Sequence, residues 1–190
     1  DDMSEFVTKR TGESEGALVL LKRADQLDLD DNMEMIRLLG KAARMLSKKE
    51  HAHELVHAQA VLSIAYRSAG LLWAARASCT AAITTLFIEA EESGELPPNV
   101  FPLLMNCAWQ AVELKYFPEV LQIIPVAHGA LKKLNYSDES KARAGKQLLD
   151  FDRVLACQFA NLSAEAVAHL AEVPDILERM GLNLGHFSLL

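Results

Sequence analysis

Apolar residues recur along this chain at helical spacing, in segments closed off by Gly and Pro, and never alternate for long with polar ones. That combination leaves little besides helix packed on helix. Asp31 opens a stretch in which Met33, Ile36, Leu39, Gly40 and Ala43 share one side of a helix. Between Leu71 and Ile88 the only charged residue is Arg76, as expected of a helix covered on nearly all sides. Composition agrees: 30 Leu and 27 Ala stand against 23 Val, Ile and Thr combined among 190 residues, and the first two favour helices where the β-branched types favour strands. No Asn-Gly or Asp-Gly hairpin signal occurs.

The punctuation predicts about eight helices in a single unit, residues 1–190. They run from Ser14 to Asp28, Asp31 to Lys48, Glu50 to Ala69, Leu71 to Glu92, Asn99 to Leu114, Pro118 to Leu134, Ser137 to Ala160, and onward from Ser163. Gly70 and Gly94 suit left-handed C-terminal positions. Pro118 fits a first helical turn, whereas Pro125 and Pro174 should kink or break their helices. Short connections imply antiparallel hairpins.

With 19 basic and 26 acidic residues, net charge −7, and no long basic run, the chain is a poor partner for nucleic acid or an anionic membrane surface. No window reaches the roughly 20 apolar residues of a membrane span. Cys79, Cys107 and Cys157 are far apart and odd in number, so the expectation is reduced core thiols in a cytoplasmic protein. The opening at Asp1 and the apolar end at Leu190 read as a segment excised from a longer multidomain protein.

An internal repeat is the next pattern to test. The segment Leu62-x-x-Ala65-Tyr66-x-x-x-Gly70-x-Leu72-x-x-Ala75-x-x-x-Cys79-x-x-Ala82 resembles the tetratricopeptide repeat. Small residues there let two helices approach closely, and Tyr66 is expected to fill the groove between them. Gln59 stands where the family often has Trp, Ser63 replaces a Gly, and Phe87 falls where a closing Pro is usual. A shift of 45 residues gives a weaker copy: Phe117, Val120, Ile124, Ala127 and Leu131 answer to Leu72, Ala75, Cys79, Ala82 and Leu86. A shift of 39 the other way aligns Met33, Gly40 and Ala43 with Leu72, Cys79 and Ala82.

The resemblance implies an all-α, right-handed solenoid of antiparallel helical hairpins whose concave face holds a peptide or a partner helix. Carried over by position, that groove would include His57, Ala60, Ile64, Arg67 and Ser68 in one unit and Met105, Ala108, Val112 and Glu113 in the next. Such a protein would be a non-catalytic interaction, sensor or scaffold module of a regulator, without cofactor. Its partner would be protein or peptide, with self-association possible through exposed end helices.

One motif points elsewhere. His53-Glu54-Leu55-Val56-His57 matches H-E-x-x-H, which on a helix puts two imidazoles on one face for zinc and supplies a Glu to activate bound water. The alternative is therefore a zinc hydrolase using His53, Glu54 and His57. It requires a β-sheet behind the motif helix, where residues 1–50 read as helical, and a third ligand: Ser63 stands where the extended motif needs His, and Glu89, Glu91 or Glu92 could serve only if the next helix folds back onto the motif.

Overall fold

The computed structural model describes residues 2–28, 31–46 and 50–159. These form eight helices: α1 Asp2–Thr11, α2 Glu13–Ala24, α3 Asn32–Met45, α4 Ala52–Ser68, α5 Leu72–Ser93, α6 Val100–Glu113, α7 Phe117–Lys133 and α8 Asp138–Phe159. Among the described residues there is no strand. Each helix packs chiefly on the one before and the one after it in chain order, most extensively α4 on α5. This makes an all-α, solenoid-like arrangement.

Seven of the eight expected helices have counterparts here. The helix expected from Ser163, Pro174 within it, and the Cys157 side chain lie outside the described residues. The count differs at the other end, because α1 precedes the first helix expected. It escapes a search for apolar stripes: Met3 is 71% and Phe6 58% exposed. What docks it is close approach. Ser4 Oγ donates to the Gly16 carbonyl at 3.1 Å, and a Cβ built on Gly16 would lie 1.9 Å from Thr8 Oγ1. Asp31 takes the N-cap position of α3 but forms no side-chain cap bond, while Ser137 Oγ accepts the Ser140 N–H and so caps α8. Pro125 lies inside α7, which continues through it.

Two apolar clusters fill the interior. The first joins α2, α3 and α4 through residues such as Leu20, Leu38, Leu39, Leu55 and Leu62, with Tyr66 packed on it. The second joins α5 to α8 through Leu86, Phe101, Trp109, Ile124, Leu148 and Phe151, and takes Val56 from α4. Helix α4 therefore faces both clusters and joins them.

Burial recurs at corresponding positions of α4 to α7. Ala75, Cys79 and Ala82 on α5 are fully buried, and Val120, Ile124 and Ala127, 45 residues on, are buried to 3% exposure or less. On α4, Leu55, Val56, Ala58, Leu62, Ser63 and Ala65 are buried, as are Val100, Phe101, Leu103, Cys107, Ala108 and Gln110. The shift of 39 is corrected to 40. Met33 is 71% exposed and Gly40 and Ala43 are half-buried. Instead Met35, Leu39, Ala42 and Leu46 occupy the buried places of Ala75, Cys79, Ala82 and Leu86. Matching small residue to small residue selected Gly40 and Ala43, which stand one position beside the buried stripe. One residue is about 100° of helix rotation, enough to move a stripe from core to flank.

The turn after α4 recurs as well. The Leu71 N–H bonds the Tyr66 carbonyl and the Gly70 N–H bonds that of Arg67, with Gly70 at φ 75°. After α6 the same pair runs from Tyr116 to Ala111 and from Lys115 to Val112. There Lys115, at φ 57°, holds the left-handed place.

The N-terminal ends of helices α5 and α7 are joined by hydrogen bonds from Arg76 to Glu119. The outward face of α5 up to Ile88 presents Trp73, Ala77, Thr80, Thr84 and Ile88; that of α7 presents Pro118, Leu121, Gln122, Pro125, Val126 and Gly129. None of these is charged.

Candidate functional site

Helices α6 and α8 diverge enough to leave a cleft of about 460 Å3. Its walls come from positions 101, 102, 105, 106 and 109 of α6 and 140, 143, 144 and 147 of α8, with Tyr136 at one end. On α6 these places form one stripe of the helix, because residues four apart stand one above another.

The apolar wall is Phe101, Met105 and Trp109. Trp109 rests on Phe151 with ring centroids 4.0 Å apart, and Phe101 meets Tyr136 edge-on at 6.5 Å. Both rings are thus held from behind, and Trp109 is 8% exposed. The Tyr136 hydroxyl donates to the Pro98 carbonyl, and burial raises its pKa above the usual phenol value. It remains a neutral donor that ties the end of the cleft to the segment before α6.

The polar complement is Asn106, Ser140, Gln147 and Arg143. Arg143 is well exposed and contacts Glu139 one turn back at 3.1 Å. A surface pair of that kind contributes little and exchanges readily for another carboxylate. Behind Asn106 runs a buried link to α4: Gln110 Nε2 donates to Ser63 Oγ at 2.8 Å and to Asn106 Oδ1 at 3.4 Å.

The groove positions inferred from the repeat resemblance fare unevenly. Met105 lines the cleft. Ala108 and Val112 do not: both are fully buried in the second cluster, because α6 is flanked on two sides and turns that stripe inward. Glu113 and Arg67 bond each other, from Arg67 Nε at 3.1 Å and from its terminal nitrogen at 2.5 Å. Ala60 packs half-buried against the second cluster. His57, Ile64 and Ser68 are exposed on α4, away from the cleft residues.

Phe101, Asn106, Trp109 and Tyr136 on one side, and Ser140, Arg143 and Gln147 on the other, escaped the sequence reading. A signal existed in α6, where Phe101, Met105 and Trp109 repeat every four residues. Nothing in the sequence says that α8 faces that stripe.

The H-E-x-x-H residues do not converge with any of these. His53 is exposed and Glu54 half-buried. His57 Nε2 is 3.1 Å from Asp25 Oδ1, just past the end of α2. Among the described residues no group of three or more His, Cys, Asp or Glu is placed to hold a metal ion, and none of their helices is long and apolar enough to cross a membrane. No β-sheet backs the motif among them either.

No family model matches the chain, and no curated protein does so.

Proposed function

We propose that the protein is a non-catalytic interaction module, built on repeats similar to tetratricopeptide repeats, that holds a partner peptide or helix in the cleft between α6 and α8. A cleft with two anchored aromatic rings and a few unlike polar groups is what recognition of a partner side chain requires. The single observation carrying the reading is the pairing of Trp109 and Phe101, locked from behind, with Asn106, Gln147 and Arg143 around them. A scaffold or regulatory role in a cytoplasmic protein follows from that reading and from the composition.

Selection of random peptides displayed on phage tests it. Peptides should be recovered whose binding falls at least about tenfold with Gln147→Ala and with Arg143→Glu, while thermal unfolding is unchanged. Binders insensitive to both substitutions would place recognition elsewhere. The zinc hydrolase based on His53, Glu54 and His57 is separated by metal analysis of protein purified without added zinc: stoichiometric zinc lost with His53→Ala would favour it.

A further inference from the structure

We infer that the outward face of α5 and α7 is a self-association surface that takes a second copy of this chain. Charged residues are 45 of 190 in the chain and concentrate on surfaces. Yet the face described above carries none, from Trp73 to Ile88 on α5 and from Leu121 to Gly129 on α7. The two charged side chains beneath it, Arg76 and Glu119, bond each other.

The face is also apolar beyond what isolated surface residues explain. Trp73 is 60%, Ile88 49%, Leu121 48% and Val126 44% exposed. With Tyr116, 6.3 Å from Trp73, and the smaller residues between, the exposed area is of the order a specific interface needs, roughly 800 Å2 per partner.

A second copy fits this face better than another partner does, for two reasons. A charge-free surface offers a charged partner no steering and no polar specificity. For two copies of a chain of net charge −7, however, contact away from fixed charge keeps mutual repulsion low. A two-fold axis along the helix direction lays α5 of one copy over α7 of the other, since α5 and α7 run the same way. Glu91 and Glu92, exposed at the end of α5, then oppose Lys132 and Lys133, exposed at the end of α7, twice over. The bulky Leu121 and Val126 meet the row of Ala77, Thr80 and Thr84, which is shallow enough to receive them.

Sedimentation velocity at micromolar to hundreds of micromolar protein tests this. A monomer–dimer equilibrium is expected. Thr80→Glu and Val126→Glu should each weaken it at least about tenfold, by burying an uncompensated charge, whereas Leu149→Glu, at an exposed apolar site on α8, should leave it unchanged. Reversing Lys132 and Lys133 to Glu should weaken association, and adding Glu91→Lys with Glu92→Lys should restore it. A monomer at every concentration overturns the inference. So does a dimer indifferent to both face substitutions, or a monomer whose face cross-links to residues beyond 159. Peptide binding in the α6–α8 cleft can persist in each case, so the two readings fail separately.

Discussion

Arg67 on α4 and Glu113 on α6, 46 residues apart, form a two-pronged ion pair between consecutive first helices. Arg76 on α5 does the same with Glu119 on α7, 43 residues on, between consecutive second helices. The Arg76 guanidinium also lies 5.7 Å from the ring centroids of both Trp73 and Tyr116, and its hydrogen bond to Glu119 raises its pKa further above the usual value. The α4–α5 hairpin is thus tied to the α6–α7 hairpin by charge on both layers, at the end where the turns lie.

The Arg67 and Glu113 side chains are only 33% and 17% exposed, so their coupling should exceed that of an open surface pair. A double-mutant cycle on Arg67→Ala and Glu113→Ala should give about 0.5–1.5 kcal/mol. Arg67→Lys should lose most of it, because an ammonium cannot present two parallel donors. Strict additivity of the single substitutions in urea unfolding would show the pair to be incidental.

The turns after α4 and α6 offer a comparison within one molecule. Gly70 and Lys115 occupy equivalent left-handed positions, where a side chain costs about 1–2 kcal/mol. Lys115→Gly should therefore raise stability by about 0.5–1 kcal/mol, part of the gain being lost to the freer unfolded chain. Gly70→Ala should lower stability by about 1 kcal/mol. Chemical denaturation measures both, and a destabilised Lys115→Gly would mean that the Lys side chain makes a contact of value.

Local signals and facing signals differ in how far a sequence carries them. Gly70, Gly94 and Ser137 mark helix ends by backbone chemistry that acts within a few residues, which is why the borders of α4, α5 and α8 are legible. The register of α3 depends on what α2 and α4 bring against it, so Gly40 and Ala43 misled where Met35 and Leu39 are buried. Helix α1 docks through Ser4 and the bare Cα of Gly16, a contact with no apolar signature. Half of the cleft belongs to α8, whose contribution is set by divergence from α6 and by no local pattern.

Ser63 and Gln110 are both fully buried, between α4 and α6, and Gln110 Oε1 has no hydrogen-bond partner. Removing one member should cost more than removing both. Ser63→Ala alone should destabilise by about 1–2 kcal/mol, and adding Gln110→Leu should recover most of that. A double variant less stable than Ser63→Ala would mean that the amide is held by more than the serine and Asn106.

Ala75 and Ala82 are fully buried at the α5 contact, whereas Ala52 is half-buried at the start of α4. Replacing either of the first two by Leu should cost about 1–3 kcal/mol through overpacking. The same change at Ala52 should cost less than either. Equal midpoints for the three variants would contradict the register in which α5 packs.

Cys79 and Cys107 are buried free thiols at the α5–α6 contact. Cys79 Sγ donates to the Leu103 carbonyl at 3.3 Å, and Thr80 Oγ1 lies 3.7 Å from Cys107 Sγ. The hydrogen bond with Cys107, then burial, push the Cys79 thiol far above its ordinary range. A thiolate beside that carbonyl would lose its bond and gain no solvent. Cys107 moves the other way, held down chiefly by its interaction with Cys79, and offsets part of the effect. In the unfolded chain a thiol ionises near pH ~8.5. Above that pH the unfolded state releases a proton that folded Cys79 keeps, so it binds fewer protons and stability falls as pH rises. Below it the contribution is constant. Urea unfolding between about pH 8 and pH 10 should therefore show a steeper loss for the wild-type chain than for a variant with both Cys79 and Cys107 replaced by Ala, which removes the coupled pair as a whole. Parallel slopes would mean that the pair ionises as readily in the fold as outside it.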